Sequence, residues 1–194
     1  MGAKEQLKTM KPLLIFPLIF FALTTYGQSK YNYVYFNKLT EVVGTEYVIV
    51  SVENLAKMNK PQSKYFLFIN TKTGETNQID FPGDANIGNP EQIKIDSLGI
   101  NLIVVAARAI DLNRKIGIDW NDPTQIIVLS TDGKQKEQLT DNKFFTKAWV
   151  VNRQTGTIVI TGHYDTNNNN KYDKTDNYEI HIYDLKTLKL INKI

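Results

Sequence analysis

Cysteine is absent from all 194 residues, which excludes disulfide staples, thiol nucleophiles, thiolate metal sites and a lipid-modified N-terminal cysteine. Histidine is nearly absent: His163 and His181 are the only two, and lone strand histidines are more often surface or packing residues than catalysts. No HExxH, GxSxG or Walker sequence occurs, so no nucleophile stands with a base at a recognisable spacing and no catalytic residue is assigned. Helical periodicity is also missing beyond the N-terminus, residues 55–60 being too short to count. Nor is there a basic block. The formal net charge of +3 includes Lys4, Lys8 and Lys11 against Glu5, and about +1 remains without them. Nothing in that balance resembles a nucleic-acid footprint.

What is present begins with an address. Lys4, Lys8 and Lys11 form a positive region, Pro12 to Leu23 an apolar run interrupted by Pro17, and Thr24 to Gly27 a small, polar exit, the pattern of a secretory signal peptide over residues 1–27. The rival is an uncleaved anchor, but the run falls short of the roughly 20 residues that span a bilayer. Cleavage between Gly27 and Gln28 is expected, with no transmembrane anchor left behind and a periplasmic or extracellular destination. The remaining 167 residues (194 minus 27) suffice for one domain, 28–194, with a sizeable core.

The most specific chemistry lies in Asp165-Thr-Asn-Asn-Asn-Asn-Lys-Tyr-Asp-Lys-Thr-Asp176. Side-chain oxygens fall at positions 1, 3, 5, 9 and 12 (Asp165, Asn167, Asn169, Asp173, Asp176), and Lys171 at position 7 offers its backbone carbonyl. That spacing is the calcium-loop pattern: a hard cation takes six to eight oxygens, which three carboxylates, two amides, a carbonyl and a water could supply. Position 6, where a positive φ usually demands Gly, is Asn170, the residue that tolerates that conformation best after Gly. One Ca2+ is the expected cofactor, at the roughly 10⁻⁴ to 10⁻³ M affinity of extracellular modules; the alternative is a solvated polar loop that binds nothing.

An echo stands 54 residues upstream (165 minus 111): Asp111, Asn113, Asp119 and Asp122 occupy positions 1, 3, 9 and 12. It is the poorer metal candidate, since Lys115 replaces the oxygen at position 5 and Ile116 holds the turn position. A relic loop is expected, with Asp119 and Asp122 paired to Arg114 or Lys115.

The same offset, without a gap, lays Gln125 to Val128 on Glu179 to Ile182 and Val104-Val105 on Ile158-Val159. A unit has been duplicated, and a more degenerate copy precedes both, with Tyr47 to Val52 and Lys64 to Ile69 as its apolar runs. Within each copy the segments are short, β-branched or aromatic and punctuated by turn residues, as antiparallel strands are. An all-β fold follows, of β-propeller type, with three four-stranded blades at about 31–82, 91–140 and 146–194, forming a partial or open propeller. A sandwich of similar-looking strands is the alternative.

At Ser130-Thr-Asp-Gly-Lys-Gln-Lys-Glu-Gln-Leu-Thr140 the chain resembles the TolB-like, or WD40-like, β-propeller repeats of periplasmic proteins, in which a DG turn precedes an LT pair on the outer strand; here these are Asp132-Gly133 and Leu139-Thr140. The resemblance covers residues 31–194, and only the middle copy keeps the outer motif. The acidic loop is similar to the calcium loops of dockerin modules, which also end in Asp, although its flanks here are strands.

These readings favour an exported, non-enzymatic scaffold that presents loops to a protein or glycan partner, with calcium rigidifying one loop. The alternative is a hydrolase, or the regulatory propeller of a periplasmic enzyme system. Trp120, Trp149 and the Tyr31 to Phe36 run could form a binding surface, but core packing accounts for them equally well. Propellers close with about four to eight blades; with three in hand, a homodimer could complete a six-bladed ring, the alternatives being a truncated product or an open array docked on a partner.

Overall fold

The computed structural model of the chain describes residues 33–55, 61–114 and 117–194. The expected signal peptide, Lys115 and Ile116 lie outside the described residues. Among the described residues thirteen strands form three antiparallel sheets, and the one helical element is a single 3-10 turn at Asp96–Leu98. The first sheet has the order β1-β2-β3-β4, from β1 (Tyr33–Glu41), β2 (Tyr47–Leu55), β3 (Pro61–Asn70) and β4 (Thr76–Phe81). The second is built on β7 (Ile100–Arg108) and β8 (Gln125–Ser130), with β9 (Lys136–Gln138) outside β8 and both β5 (Asn86–Ile87) and β6 (Glu91–Ile95) pairing β7. The third has the order β10-β11-β12-β13, from β10 (Phe144–Asn152), β11 (Thr157–Tyr164), β12 (Asn177–Asp184) and β13 (Leu190–Lys193). The fold is therefore all-β, three mostly four-stranded antiparallel sheets that do not close. Among the described residues no helix is long and apolar enough to cross a membrane.

Side-chain alternation along β7 and β8 explains how the sheets stack, because successive residues of a strand point to opposite faces. Ile103, Val105, Ala107, Ile127 and Leu129 join Ile49, Phe66, Phe68, Ile79 and Phe81 in one core, between the first and second sheets. Leu102, Val104, Ile126 and Val128 join Phe144, Ile158, Ile160 and Tyr183 in the other, between the second and third. The middle sheet is thus buried on both faces, which accounts for the unbroken aliphatic run of β8. Among the described residues no core cluster joins the first sheet to the third.

Register corrects one part of the repeat. β8 and β12 do correspond at 54, Ile127 and His181 both facing the preceding sheet. On the neighbouring strand, however, Val105 is opposite Ile127 while Ile160 is opposite His181, an offset of 55 (160 minus 105). Two residues, Ala109 and Ile110, separate Arg108 from Asp111, whereas Tyr164 alone separates His163 from Asp165. Val104 and Val105 therefore match Val159 and Ile160, and the duplication is not free of gaps.

Candidate metal loop and the pocket beside it

Both acidic loops leave the same end of equivalent strands, and their second halves share one hydrogen-bond scheme. The Asp173 N–H donates to Asp176 Oδ2 (2.9 Å) and the Thr175 N–H to Asp173 Oδ1 (2.7 Å). In the upstream loop the Asp119 N–H donates to Asp122 Oδ2 (2.8 Å) and the Asn121 N–H to Asp119 Oδ1 (2.8 Å). Position 4 is left-handed in both, at Asn168 (φ 57°) and Arg114 (φ 54°), and Asn170 takes φ 60° at position 6, as the sequence requires of a metal loop.

The first halves diverge. Asp165, 1% exposed, accepts the N–H groups of Asn169 (3.1 Å) and Asn170 (2.9 Å) on its two carboxylate oxygens, curling positions 1 to 6 around it. Asn167 Oδ1 accepts the Asn169 N–H and Asn169 Oδ1 the Lys171 N–H. Among the described residues Asp111 instead accepts the Arg114 N–H (2.6 Å). The decisive difference is at position 12. Asp122 Oδ1 is satisfied by the Leu112 N–H (2.9 Å), whereas Asp176 Oδ1 is buried with no partner. Burying an unpaired carboxylate oxygen is costly, and the usual relief is a water or an ion.

Asp173 lies well below the usual carboxylate range because the Thr175 hydroxyl bonds it, followed by the Thr175 N–H and the side-chain amides of Asn169 and Asn167. It remains charged across the neutral range, as a cation ligand should. Asn167 Nδ2 and Asn169 Nδ2 both donate to its Oδ2. Among the described residues no three His, Cys, Asp or Glu side chains are grouped closely enough to hold a metal by themselves; a cation here would need the Asn167 and Asn169 amide oxygens and the Lys171 carbonyl as well.

Among the described residues, backbone N–H groups and the Asn121 amide occupy the oxygens of Asp119 and Asp122, and neither carboxylate pairs with Arg114; the alternative partner, Lys115, lies outside them. A short loop with its own unbonded N–H groups satisfies carboxylates locally, with less side-chain ordering than a long arginine needs.

Both histidines are packing residues. His181, 1% exposed, stacks on Phe144 (4.1 Å) and bonds Glu179 (2.6 Å). His163, 2% exposed, lies against Tyr178 (3.7 Å) and Tyr172 (4.4 Å), and neither ring nitrogen has a partner. Burial first, and the Lys147 charge second, hold its pKa below the ordinary imidazole value against an opposing pull from Asp176. Tyr172 therefore straps the acidic loop to the outer face of the third sheet.

The two loops meet at a pocket of about 730 Å³ whose lining includes Arg108, Trp120, Lys147, Lys171 and Tyr172. On sequence Trp120 stands only as a general aromatic and Lys171 only as a metal-loop carbonyl, and Arg108, Lys147 and Tyr172 go unmarked, because the pocket arises where two repeats touch. Trp149, grouped with Trp120 on sequence, packs against the core instead. No known protein family, no curated protein and no solved structure matches this chain.

Proposed function

We propose that this is an exported, non-enzymatic binding protein of propeller type, in which one Ca2+ held by the Asp165 to Asp176 loop fixes the rim of the pocket where a protein or glycan partner docks. The observation that carries this reading is the buried, unpartnered Asp176 Oδ1, in a loop whose upstream twin has satisfied the equivalent atom from its own backbone. Asp165, Asn167, Asn169, Lys171, Asp173 and Asp176 are the assigned ligands; Asp111, Asn113, Asp119 and Asp122 are not. The secretory pattern of residues 1–27 supports a calcium-rich compartment, where a weak site fills. The TolB-like resemblance of Ser130 to Thr140 supports a propeller, and two copies joining the outer faces of their first and third sheets would make a six-bladed ring.

Thermal unfolding of the 28–194 chain tests the calcium site. At 10 mM calcium and a dissociation constant of roughly 10⁻⁴ to 10⁻³ M, linkage stabilises the fold by about 1.4 to 2.7 kcal/mol. Asp165→Ala and Asp176→Ala should abolish that response, and Asp119→Asn should keep it. Identical melting curves in calcium and in chelator would overturn the assignment.

A further inference from the structure

The pocket between the loops has a chemistry that narrows its ligand. Its two carboxylates are already spent: Asp122 on the N–H groups of Leu112 and Asp119, Asp119 on Asn121. Its three cations are not. Arg108 uses Nε on the Asp122 carbonyl (2.9 Å), which fixes the guanidinium at the wall, and among the described residues it forms no ion pair. Lys147 Nζ rests over the Tyr172 ring at 4.6 Å, a cation–π contact in place of a salt bridge. Lys171 is exposed. With three cations against two carboxylates that already accept N–H groups, the pocket offers a visitor donors and a small excess of positive charge.

One open aromatic face completes it: Trp120 is 80% exposed, whereas the Tyr172 ring is already taken up by Lys147 and His163. Rings of this kind take the C–H face of a pyranose, while a fixed guanidinium takes a carboxylate in a two-pronged contact. The volume of about 730 Å³ lies within the ordinary range for a small-ligand site.

Building on the proposed binding role, we infer that the pocket binds an acidic saccharide, a uronic-acid-bearing glycan whose carboxylate meets Arg108 and Lys147 and whose ring lies on Trp120. The calcium loop contributes through Tyr172 and Lys171, which it carries, so calcium loading should tighten binding without contacting the sugar.

The test is calorimetric titration of the 28–194 chain with a hyaluronan hexasaccharide and with the same hexasaccharide after reduction of its carboxylates. The acidic form should bind at least tenfold more tightly, and Arg108→Gln, Lys147→Gln and Trp120→Ala should each weaken it about tenfold. Lys147 and Trp120 lie on the surface, so their variants remain informative if Arg108→Gln fails to fold. Equal binding of both forms would overturn the acidic class while leaving a glycan-binding role intact. Binding of poly-glutamate but of neither saccharide would overturn it in favour of an acidic protein partner, and no binding of any probe would overturn it outright. The calcium melting experiment is independent of all four outcomes.

Discussion

Gly133 lies directly against the ring of Phe68: a Cβ at Gly133 would stand 2.3 Å from Phe68 Cδ2, and its φ is +72°. The Asp132-Gly133 turn belongs to the second sheet and Phe68 to the first, so this turn is a peg between sheets, held also by Asn77 Nδ2 on the Asp132 carbonyl (2.8 Å). Gly133→Ala combines a left-handed backbone with a clash against a wholly buried ring. It should cost about 2 to 4 kcal/mol, read as a lower urea midpoint, while Gly74→Ala, with open space around it, should cost only the backbone strain.

His163 presents the opposite case, a buried group that stability would do without. Both ring nitrogens are unpartnered among Tyr172, Tyr178 and Phe145. His163→Phe keeps the ring contacts and removes the unmet hydrogen-bonding groups, so it should raise stability by about 1 kcal/mol. A lower melting temperature would show that the imidazole is paired in solution.

Acid should act through the turn at Asp184. The Thr187 N–H, the Thr187 hydroxyl and the Lys186 N–H bond its carboxylate and hold its pKa below the ordinary aspartate value. A folded-state pKa lower than the unfolded one gives stability that is complete above the unfolded value and is lost as pH falls through the folded one. Asp184→Asn should therefore lower the melting temperature at pH 7 and flatten its decline below about pH 4, as read by melts across that range.

The outer faces of the end sheets should associate. On the first, exposed Leu39 and Phe36 are in register with Val50 and Val52, which are already buried, and these in turn with Leu67 and Tyr65. On the third, Val150, Val159 and Ile182 lie side by side in register. Leu39 is 71% and Val150 63% exposed. Sedimentation of the 28–194 chain should show a dimer that Leu39→Glu or Val150→Glu converts to monomer. A soluble monomer at micromolar concentration would rule out the two-copy ring, and aggregation would point to a different partner.

Strand existence was legible because turns and β-branched runs alternate so regularly: β2 and β3 enclose the runs expected at 47–52 and 64–69, and apart from β5 the three sheets follow the expected blades to within a few residues. Two-residue β5 was too short to register. The offset error at Val104-Val105 has a physical origin. In a strand buried on both faces every position is apolar, so composition says nothing about which parity faces which neighbour. Only cross-strand pairing resolves it. Loop conformation was readable at Asn170, where residue type limits φ. The fate of each carboxylate was not, because the Leu112 N–H that satisfies Asp122 has no signature in its side chain.

The middle sheet carries two addresses on one strand. Along β8 the even-numbered side chains, Ile126 and Val128, belong to the core shared with the third sheet, and the odd-numbered Ile127 and Leu129 to the core shared with the first. A single inserted residue at its start would exchange these destinations and mis-deliver both sets at once, whereas the same insertion in β1 or β13 would disturb one face only. β8 is thus the segment that fixes the reading frame of the stack, and its neighbours can drift in length, as the Ala109-Ile110 step shows, only where a loop absorbs the change before the next buried strand begins.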